Sequence, residues 1–249
     1  MGQNVIVLKF GSSVLRRITD LPSVVREISR WYCEGERVVA VVSAIGTATD
    51  ELLRQAEQLS AAPEPWATAE LLATGERASA ALLGIALDRA GIRARVLDPR
   101  EIGLTVAGPP LDGTTVSVNQ KTMDVLLAQY PVLVVPGFFG ADATGRTQLL
   151  GRGGSDLTAV FLAFALRTRC RLLKDVDGVY EVDPDEAAAL PCRFAEVHYA
   201  DALRIAGHLI QSKAVAYLQT HGASCEVAAP ALPYETVIHG GATRRATAP

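Results

Sequence analysis

The sequence predicts an α/β fold with three layers, in which helices cover both faces of a largely parallel sheet. Short apolar runs rich in valine, isoleucine and leucine alternate with longer segments whose apolar residues recur at helical spacing. The apolar runs are continuous, which is typical of parallel strands buried on both faces. With 249 residues, of which 49% are hydrophobic, the chain can bury a large core without metals or crosslinks.

Residues 1–249 are expected to form one unit, because no Pro/Ser-rich linker, change of composition or internal repeat divides them. A net charge of −3 without a dense basic cluster argues against a nucleic-acid partner. The four cysteines are widely spaced, so neither a zinc site nor a disulfide framework is predicted. The start lacks a signal-peptide pattern, and no apolar run approaches the roughly 18 residues of a membrane span. We therefore expect a cytoplasmic protein without a membrane partner.

The first elements form a β-α-β unit. Val5 to Phe10 and Arg37 to Ser43 are short runs rich in β-branched residues, as expected of buried strands. Between them, Asp20 can cap a helix, Pro22 fits the first turn of that helix and Gly35 ends it. The connection between the two strands is therefore helical, which favours a parallel pair.

The same alternation continues along the chain. Helices are predicted near residues 50–59, 76–90, 120–128, 157–166 and 212–221, and strands at 94–97, 132–135, 170–173 and 225–228. The segment 106–118 differs, since Pro-Pro and Asp-Gly between extended residues indicate a hairpin or loop over the rim of the sheet. Such a segment is a candidate lid.

Two glycine-rich turns are candidate phosphate sites. The first strand ends in residues 9–13 (KFGSS), where small residues let backbone N–H groups approach an anion and the lysine adds positive charge. Taken alone, a lysine at a strand end is more often merely solvated. Residues 151–156 (GRGGSD) open a predicted helix. Ser155 or Asp156 can be an ordinary N-cap, but three glycines around an arginine exceed what a cap needs, and we favour a function.

A third polar cluster, residues 173–180 (LKDVDGVY) with Asp183 and Pro184 just beyond, ends another predicted strand. A surface turn explains Asp177-Gly178 well. It does not explain a lysine, three acidic groups and a tyrosine at the carboxyl edge of a parallel sheet, where such folds bind ligands. Two more polar residues can be explained without a function. Glu76 can be a first-turn acid of the helix at 76–90, and Lys213 can face solvent.

Together and in this order, the segments resemble the amino acid kinase family and, within it, the catalytic domain of aspartate kinases. Residues 9–11 resemble the opening lysine motif, 41–44 with 49–50 the second-strand motif, and 74–76 the glutamate motif on the substrate side. Residues 136–138 lead to 151–156, which resembles the element most specific to aspartate kinases. Residues 175–180 with 183–184 resemble the nucleotide motif, and 212–215 carries the second lysine.

The resemblance implies the amino acid kinase fold, with a substrate-side lobe at residues 1–140, a nucleotide-side lobe at residues 141–249 and no regulatory domain. It implies transfer of the γ-phosphoryl group of ATP to the side-chain carboxylate of aspartate. Mg²⁺ would accompany ATP, held largely by phosphate oxygens and water rather than by protein side chains. Members of the family commonly pair, so a homodimer is expected.

The resemblance also implies roles for the matching residues. The catalytic residues are expected to be Lys9, Lys213 and Asp156, with the carboxylate orienting the two lysines that flank the phosphoryl group. The residues expected to contact the amino acid are Ser43, Glu76, Arg152 and Ser155. Among these, Glu76 would pair with the α-amino group and Arg152 with the α-carboxylate. The residues expected to bind nucleotide and phosphate are Gly11, Ser12, Ser13, Gly153, Gly154, Lys174, Asp175, Tyr180 and Asp183.

The chain departs from the aspartate kinase pattern at several points. Ser12 and Ser13 follow Gly11 where aspartate kinases usually have a second glycine and a threonine, a version closer to glutamate 5-kinases. Lys174 stands where threonine is usual, and Asp185 where arginine commonly follows Asp-Pro. Only 23 residues separate the second-strand motif from the glutamate motif, so a trimmed substrate side is expected. We also expect no feedback inhibition by lysine or threonine unless a separate subunit supplies it.

Two alternatives stay open. The acceptor can be another carboxylate, such as glutamate, an acylated amino acid or an aspartate analogue, although Glu76 and Arg152 favour a free α-amino acid. The chain can also be a nucleotide-binding protein that has lost catalysis, since fold alone does not fix function. The presence of Lys9, Asp156 and Lys213 together argues against that second alternative.

Overall fold

The predicted alternation of strands and helices is the framework of the fold. The computed structural model describes residues 4–182, 191–207 and 209–246. In that part of the chain the strands are β1 (Val5–Phe10), β2 (Arg37–Val42), β3 (Ala94–Val96), β4 (Thr105–Ala107), β5 (Thr114–Ser117), β6 (Val132–Pro136), β7 (Phe139–Ala141), β8 (Thr147–Leu149), β9 (Arg169–Leu173), β10 (Phe194–His198), β11 (Cys225–Ala228), β12 (Glu235–His239) and β13 (Arg244–Arg245). The α-helices are α1 (Leu21–Cys33), α2 (Ala48–Leu59), α3 (Pro65–Arg89), α4 (Gln120–Gln129), α5 (Gly154–Leu166), α6 (Tyr199–Ile205) and α7 (Ser212–His221).

Nine strands form the central sheet in the order β13-β10-β12-β11-β9-β1-β2-β6-β3. The six strands from β11 to β3 are parallel to one another. β12 is antiparallel to β11, and β13 is antiparallel to β10 at the edge. The prediction of a largely parallel sheet is confirmed, and β1 lies near its middle between β2 and β9.

Helices cover the sheet on both faces, which confirms the three layers. Ile6 and Leu8 belong to a core with residues of α1 and α3, whereas Val7 belongs to a second core with residues of α4, α5, α6 and α7. Side chains alternate between the faces of a strand, so one apolar run in β1 supplies both cores. No helix in the described ranges is both long enough and apolar enough to cross a bilayer.

The segment 106–118 forms the predicted hairpin. β4 and β5 pair antiparallel, and β4 also pairs with β7, which is antiparallel to β8. These four strands make a second, smaller sheet. The first half of α3 packs against this sheet, with Leu72 contacting a cluster that contains Phe139 and Leu149. The hairpin is therefore part of a second sheet, separate from the central one.

Two predicted helix starts are wrong, and both concern site residues. α3 begins at Pro65 rather than at residue 76, because the Glu64 side chain accepts hydrogen bonds from the backbone N–H groups of Trp66 and Ala67 and caps the helix there. Glu76 is therefore a mid-helix residue and not a first-turn acid. α5 begins at Gly154 instead of residue 157, so neither Ser155 nor Asp156 is its N-cap.

Candidate active site

The candidate site lies where the central parallel strands end. A cavity of about 270 Å³ opens there, lined by Lys9, Gly11, Ser12, Ser13, Ser43, Gly153, Ser155, Asp156, Lys174, Asp175, Leu209 and Gln211. The register of β1 with β9 brings the ends of these two strands side by side. Ten of the twelve lining residues are among those predicted from sequence. Leu209 and Gln211 were missed, since both precede α7 without a chemical signature of their own.

Two lysines share one buried carboxylate at the floor of this cavity. Lys9 Nζ lies 2.6 Å from Asp156 Oδ1, and Lys174 Nζ lies 3.2 Å from Asp156 Oδ2. All three residues are buried. The structure therefore pairs Asp156 with Lys9 and Lys174, and not with Lys213 as the resemblance implied. We call these three residues the charge centre.

Burial and mutual charge set the ionisation of the charge centre. Burial lowers the pKa of Lys9 to about 8; the Asp156 carboxylate opposes this and the Lys174 ammonium adds to it. Burial alone raises the pKa of Asp156, but the two lysines outweigh it and bring that pKa to about 2. Asp156 is consequently an anion at any working pH, whereas Lys9 loses part of its charge in mildly alkaline solution.

Lys213 is engaged on the hairpin side of the site. Its ammonium contacts the Asp112 carboxylate and donates to the backbone carbonyls of Leu150, at 2.8 Å, and Gly113, at 3.3 Å. Lys213 is thus not simply solvent-facing, as its position alone suggested. These contacts tie the start of α7 to the loop between β4 and β5, which is where a lid was predicted.

Glycines let the backbone approach the charge centre. A Cβ on Gly11 would lie 2.5 Å from Lys9 Nζ, so any larger residue would displace the lysine. Gly153 has φ +77°, and a Cβ there would overlap the side chain of Gln211. Gly154 then starts α5, whose N-terminal turn faces the cavity through Gly153 and Ser155. Helix N-termini and glycine turns of this kind suit anions.

Glu76 is a buried carboxylate with one oxygen unpaired. Its side chain is 4% exposed, and Oε1 accepts a hydrogen bond from the Ala44 backbone N–H at 3.3 Å. Within the described part of the chain, Oε2 has no hydrogen-bond partner. Burial raises the pKa of Glu76 to about 7, while the Ala44 N–H and the Lys9 charge oppose the rise. A cationic group would satisfy this oxygen and favour the ionised form.

The serines predicted near substrate or phosphate adjoin the charge centre. Ser43 follows β2 and Ser155 lies in the first turn of α5, and their hydroxyl oxygens are 2.7 Å apart in a hydrogen bond. Gly137 allows this approach, because a Cβ there would lie 2.6 Å from the Ser155 Cβ. The hydroxyl oxygen of Ser13 is buried and has no hydrogen-bond partner in the described residues. Ser12 is exposed at the mouth.

The remaining predicted site residues lie at the mouth of the cavity, outside its lining or outside the described residues. Asp175 lies at the mouth and forms an exposed ion pair with Arg16 at 2.6 Å, a partner that no sequence pattern indicated. The Tyr180 hydroxyl donates to Asp177 and does not line the cavity. Arg152 is exposed and also lies outside the cavity lining. Asp183, like Pro184 and Asp185, lies outside the described residues.

The two carboxylates that line the cavity are already engaged by cations of the chain. Asp156 forms ion pairs with two lysines, and Asp175 forms one with Arg16. Within residues 4–182, 191–207 and 209–246, no cluster of three or more His, Cys, Asp or Glu side chains is placed to hold a metal. These residues fit an Mg²⁺ that arrives with a nucleotide and is held mainly by phosphate oxygens and water.

Similarity to known proteins agrees with this geometry. A family model described as the amino acid kinase family matches residues 4–225. An aspartokinase of Helicobacter pylori is 36% identical over 204 residues, covering 81% of this chain and 50% of the relative. The chain thus spans about half the length of the curated relatives it matches.

Solved structures share the fold. A crystal structure of aspartate kinase from Synechocystis superposes with a TM-score of 0.83 and 29% identity, over 95% of this chain and 40% of that one. E. coli aspartokinase III in complex with aspartate and ADP superposes with a TM-score of 0.76 and 20% identity, over 96% and 65% of the respective chains. With the family model matching most of its length and this fold around a lysine-lined cavity, the chain belongs to the amino acid kinase family.

Proposed function

We propose that the chain transfers the γ-phosphoryl group of ATP to the side-chain carboxylate of L-aspartate, giving 4-phospho-aspartate and ADP. The observation that carries the proposal is the unpaired, buried oxygen of Glu76. Glu76 does not line the cavity itself, but its other oxygen accepts from the N–H of Ala44, next to the lining residue Ser43, and the floor of that cavity holds Lys9 and Asp156. The cationic floor suits the phosphates, and Glu76 suits the ammonium of a free α-amino acid. Relatives named aspartokinase support the same acceptor.

The reaction depends on positioning of the substrates and neutralisation of charge rather than on a general base. One oxygen of the acceptor carboxylate forms a bond to the γ-phosphorus while the bond between that phosphorus and the β–γ bridging oxygen breaks. The acceptor is ionised near neutral pH, so no proton has to be removed. Lys9, held by Asp156, offsets negative charge on the transferred group, and the glycine turns at residues 11 and 153–154 offer N–H groups. Mg²⁺, when bound with ATP, would supply further charge neutralisation.

Several finer assignments belong to the same proposal. Arg152 would bind the α-carboxylate of the substrate, and Lys213 would reach the phosphates after leaving Asp112. Asp175, Tyr180 and Asp183 would border the nucleotide. A homodimer rests on the family resemblance and a cytoplasmic location on the sequence pattern, and light scattering of the purified chain tests the former.

A hydroxamate assay tests the proposal directly. The purified protein is incubated with Mg-ATP and hydroxylamine, which traps acyl phosphates, with aspartate, glutamate, N-acetylglutamate or no acceptor. We expect hydroxamate with aspartate, its loss in Lys9→Ala, and its retention in Lys121→Ala, which removes an exposed lysine of α4. Product only with N-acetylglutamate would overturn the assignment of Glu76. Nucleotide binding without product from any acceptor would support the non-catalytic alternative.

A further inference from the structure

Lys174 occupies an unusual place for a residue predicted to line a nucleotide pocket. It directly follows β9, and β9 pairs with β1, so the chain delivers its side chain beside Lys9. The residue is 8% exposed, and its ammonium lies on the second oxygen of Asp156. The first oxygen is taken by Lys9. Lys174 is therefore part of the buried floor and not of the rim.

The charge centre carries an excess of positive charge. Two ammonium groups face a single carboxylate, and among the residues that the structure describes the other charged groups nearby do not restore balance. Glu76 resists ionisation because burial raises its pKa to about 7, and burial likewise raises the pKa of the Cys170 thiol, which leaves it neutral. Arg16 and Asp175 neutralise each other at the mouth. A buried cation without a full counter-charge is costly, so the centre is suited to receive an anion from the cavity.

The other candidate cation is committed elsewhere. The chain has four lysines, of which Lys121 lies exposed on α4 and Lys213 is held by Asp112 and two backbone carbonyls. Only Lys9 and Lys174 are paired through Asp156. The two ammonium groups at the floor are thus in place without any rearrangement of the hairpin.

We propose that Lys174 is a second catalytic cation, which shares Asp156 with Lys9 and contacts the γ-phosphoryl group during its transfer. The inference rests on the proposed function for the identity of the anion. It gives Lys174 a task that the family resemblance gives to Lys9 and Lys213, in place of a role in binding the rest of the nucleotide. An ammonium that touches the γ-phosphoryl group discriminates between nucleotides with and without that group.

The variant Lys174→Met tests this distinction. It keeps an unbranched side chain of similar length and leaves Lys9 and Asp156 as a balanced pair, so the fold should be retained. Calorimetric titration measures the affinities for ADP and for AMP-PNP, a non-hydrolysable analogue with a γ-phosphoryl group, both with Mg²⁺. We expect the affinity for AMP-PNP to fall about tenfold more than that for ADP, since a hydrogen bond to a charged group is lost. Lys174→Arg should recover part of the difference, and Lys121→Met should change neither affinity.

Kinetics give a second readout. With hydroxamate formation as the assay, Lys174→Met should lower kcat/KM about 100-fold or more, as removal of a transition-state donor does. Burial is the main cause of the lowered pKa of Lys9; Asp156 raises that pKa and Lys174 lowers it further, and the Lys9 charge in turn lowers the pKa of Glu76. Removal of Lys174 should therefore move the alkaline limb of the pH–rate profile to higher pH. A limb that stays in place would mean that Lys174 carries no charge beside Lys9, which would contradict the inference.

The outcomes separate this inference from the proposed function. If the wild-type protein makes no hydroxamate but Lys174→Met still loses affinity selectively for AMP-PNP, the acceptor is wrong and the role of Lys174 stands. Equal losses of affinity for ADP and AMP-PNP would place Lys174 at the other phosphates and overturn the inference. Unchanged affinities in a folded variant would overturn it as well.

Discussion

Glu76 occupies a position where ionisation and burial oppose each other. The carboxylate sits in the middle of α3, accepts one weak backbone hydrogen bond and leaves one oxygen unpaired among the described residues. Burial raises its pKa to about 7. A buried group with such a shift is a functional candidate, because evolution could have replaced it with an apolar residue of greater stability.

Glu76→Gln should separate activity from stability as a function of pH. The pKa of Glu76 is about 7 in the folded protein and near 4.5 in the unfolded chain. Protonation of Glu76 therefore stabilises the fold, fully below pH 4.5, and this stabilisation is lost as the pH rises through about 7. The wild type should therefore gain activity over the pH range in which it loses stability. At pH 8 the variant should be more stable than the wild type by roughly 1 to 3 kcal/mol, with a smaller difference at pH 5.

Urea unfolding and hydroxamate formation across pH 5 to 8 measure both effects. Glu57→Gln, at an exposed position of α2, is the control and should follow the wild type in stability and rate. Glu76→Gln should have much less activity than the wild type, and the pH–rate profile of its residual activity should lack the fall at acidic pH. A stability difference that does not grow with pH would show that Glu76 is ionised in the free protein at little cost.

Residue types were predictable, whereas their pairing was not. Lys9 and Asp156 stand out because each sits in a glycine-rich turn at the end or start of an element. The partner of Asp156 depends on the fact that β9 lies next to β1, which no local pattern reveals. The contact between Asp112 and Lys213 joins residues 101 positions apart and depends on the hairpin. Sequence therefore identified most of the cavity lining, but the contact of Asp156 with Lys174 depends on the fold.

At the scale of elements, the loop between β4 and β5 and the start of α7 meet across Gly151. This glycine has φ +75°, and a Cβ on it would overlap the Asp112 carboxylate and lie 3.2 Å from Lys213 Nζ. Gly145, in the turn between β7 and β8, has φ +85° but open space around it. The two glycines thus share a left-handed backbone and differ only in what surrounds them.

Gly151→Ala and Gly145→Ala isolate the contact between hairpin and helix. Both should lose about 1 kcal/mol through the left-handed conformation. Gly151→Ala should lose more than Gly145→Ala, because the added Cβ would push the Asp112 carboxylate away from Lys213, and its kcat/KM for ATP should fall because Lys213 is displaced. Urea midpoints at constant slope give the stabilities. Equal losses of stability in the two variants would mean that the loop between β4 and β5 moves without a cost in free energy and that Asp112 does not hold Lys213.

Elements with a strong apolar pattern were predictable, whereas several short strands were not, although two of them are fully buried. β1, β2, β6, β9 and α7 carry apolar runs or helical spacing strong enough to be located within one or two residues. β7, β8, β10, β12 and β13 were missed, because strands of two to five residues form through pairing with distant partners rather than through their own composition. The early start of α3 was missed although Glu64 and Pro65 form a recognisable capping signal.

At the scale of the whole molecule, one sheet joins the two predicted lobes. Residues 1–140 supply β1, β2, β3 and β6 to the nine-stranded sheet, and residues 141–249 supply β9 to β13. The seam is the parallel pair of β1 and β9, from Ile6 opposite Arg169 to Phe10 opposite Leu173. The charge centre spans that seam, with Lys9 on one side and Asp156 and Lys174 on the other. We propose that the lobes unfold together.

Leu8→Ala tests this cooperativity at the seam. Leu8 is fully buried, and its core contains residues of α1 and α3 together with Leu173 and Ala228 from the second lobe. Truncation of such a leucine costs about 2 to 5 kcal/mol. If the lobes form one cooperative unit, hydrogen-exchange protection in β2 and β6 should fall by the same free energy as protection in β9 and β11. Leu59→Ala, at a side chain that is 91% exposed, should change neither set.

Mass spectrometry of deuterium uptake resolves the two sets of strands in one experiment. A loss confined to β2 and β6 would mean that the first lobe opens while the second stays folded, and the lobes would then be separate domains. Equal losses would mean that Lys9 and Lys174 are held in register by the stability of the whole sheet. Substitutions far from the cavity would then alter the charge centre only by unfolding the molecule, and activity per folded molecule in Leu8→Ala should match the wild type.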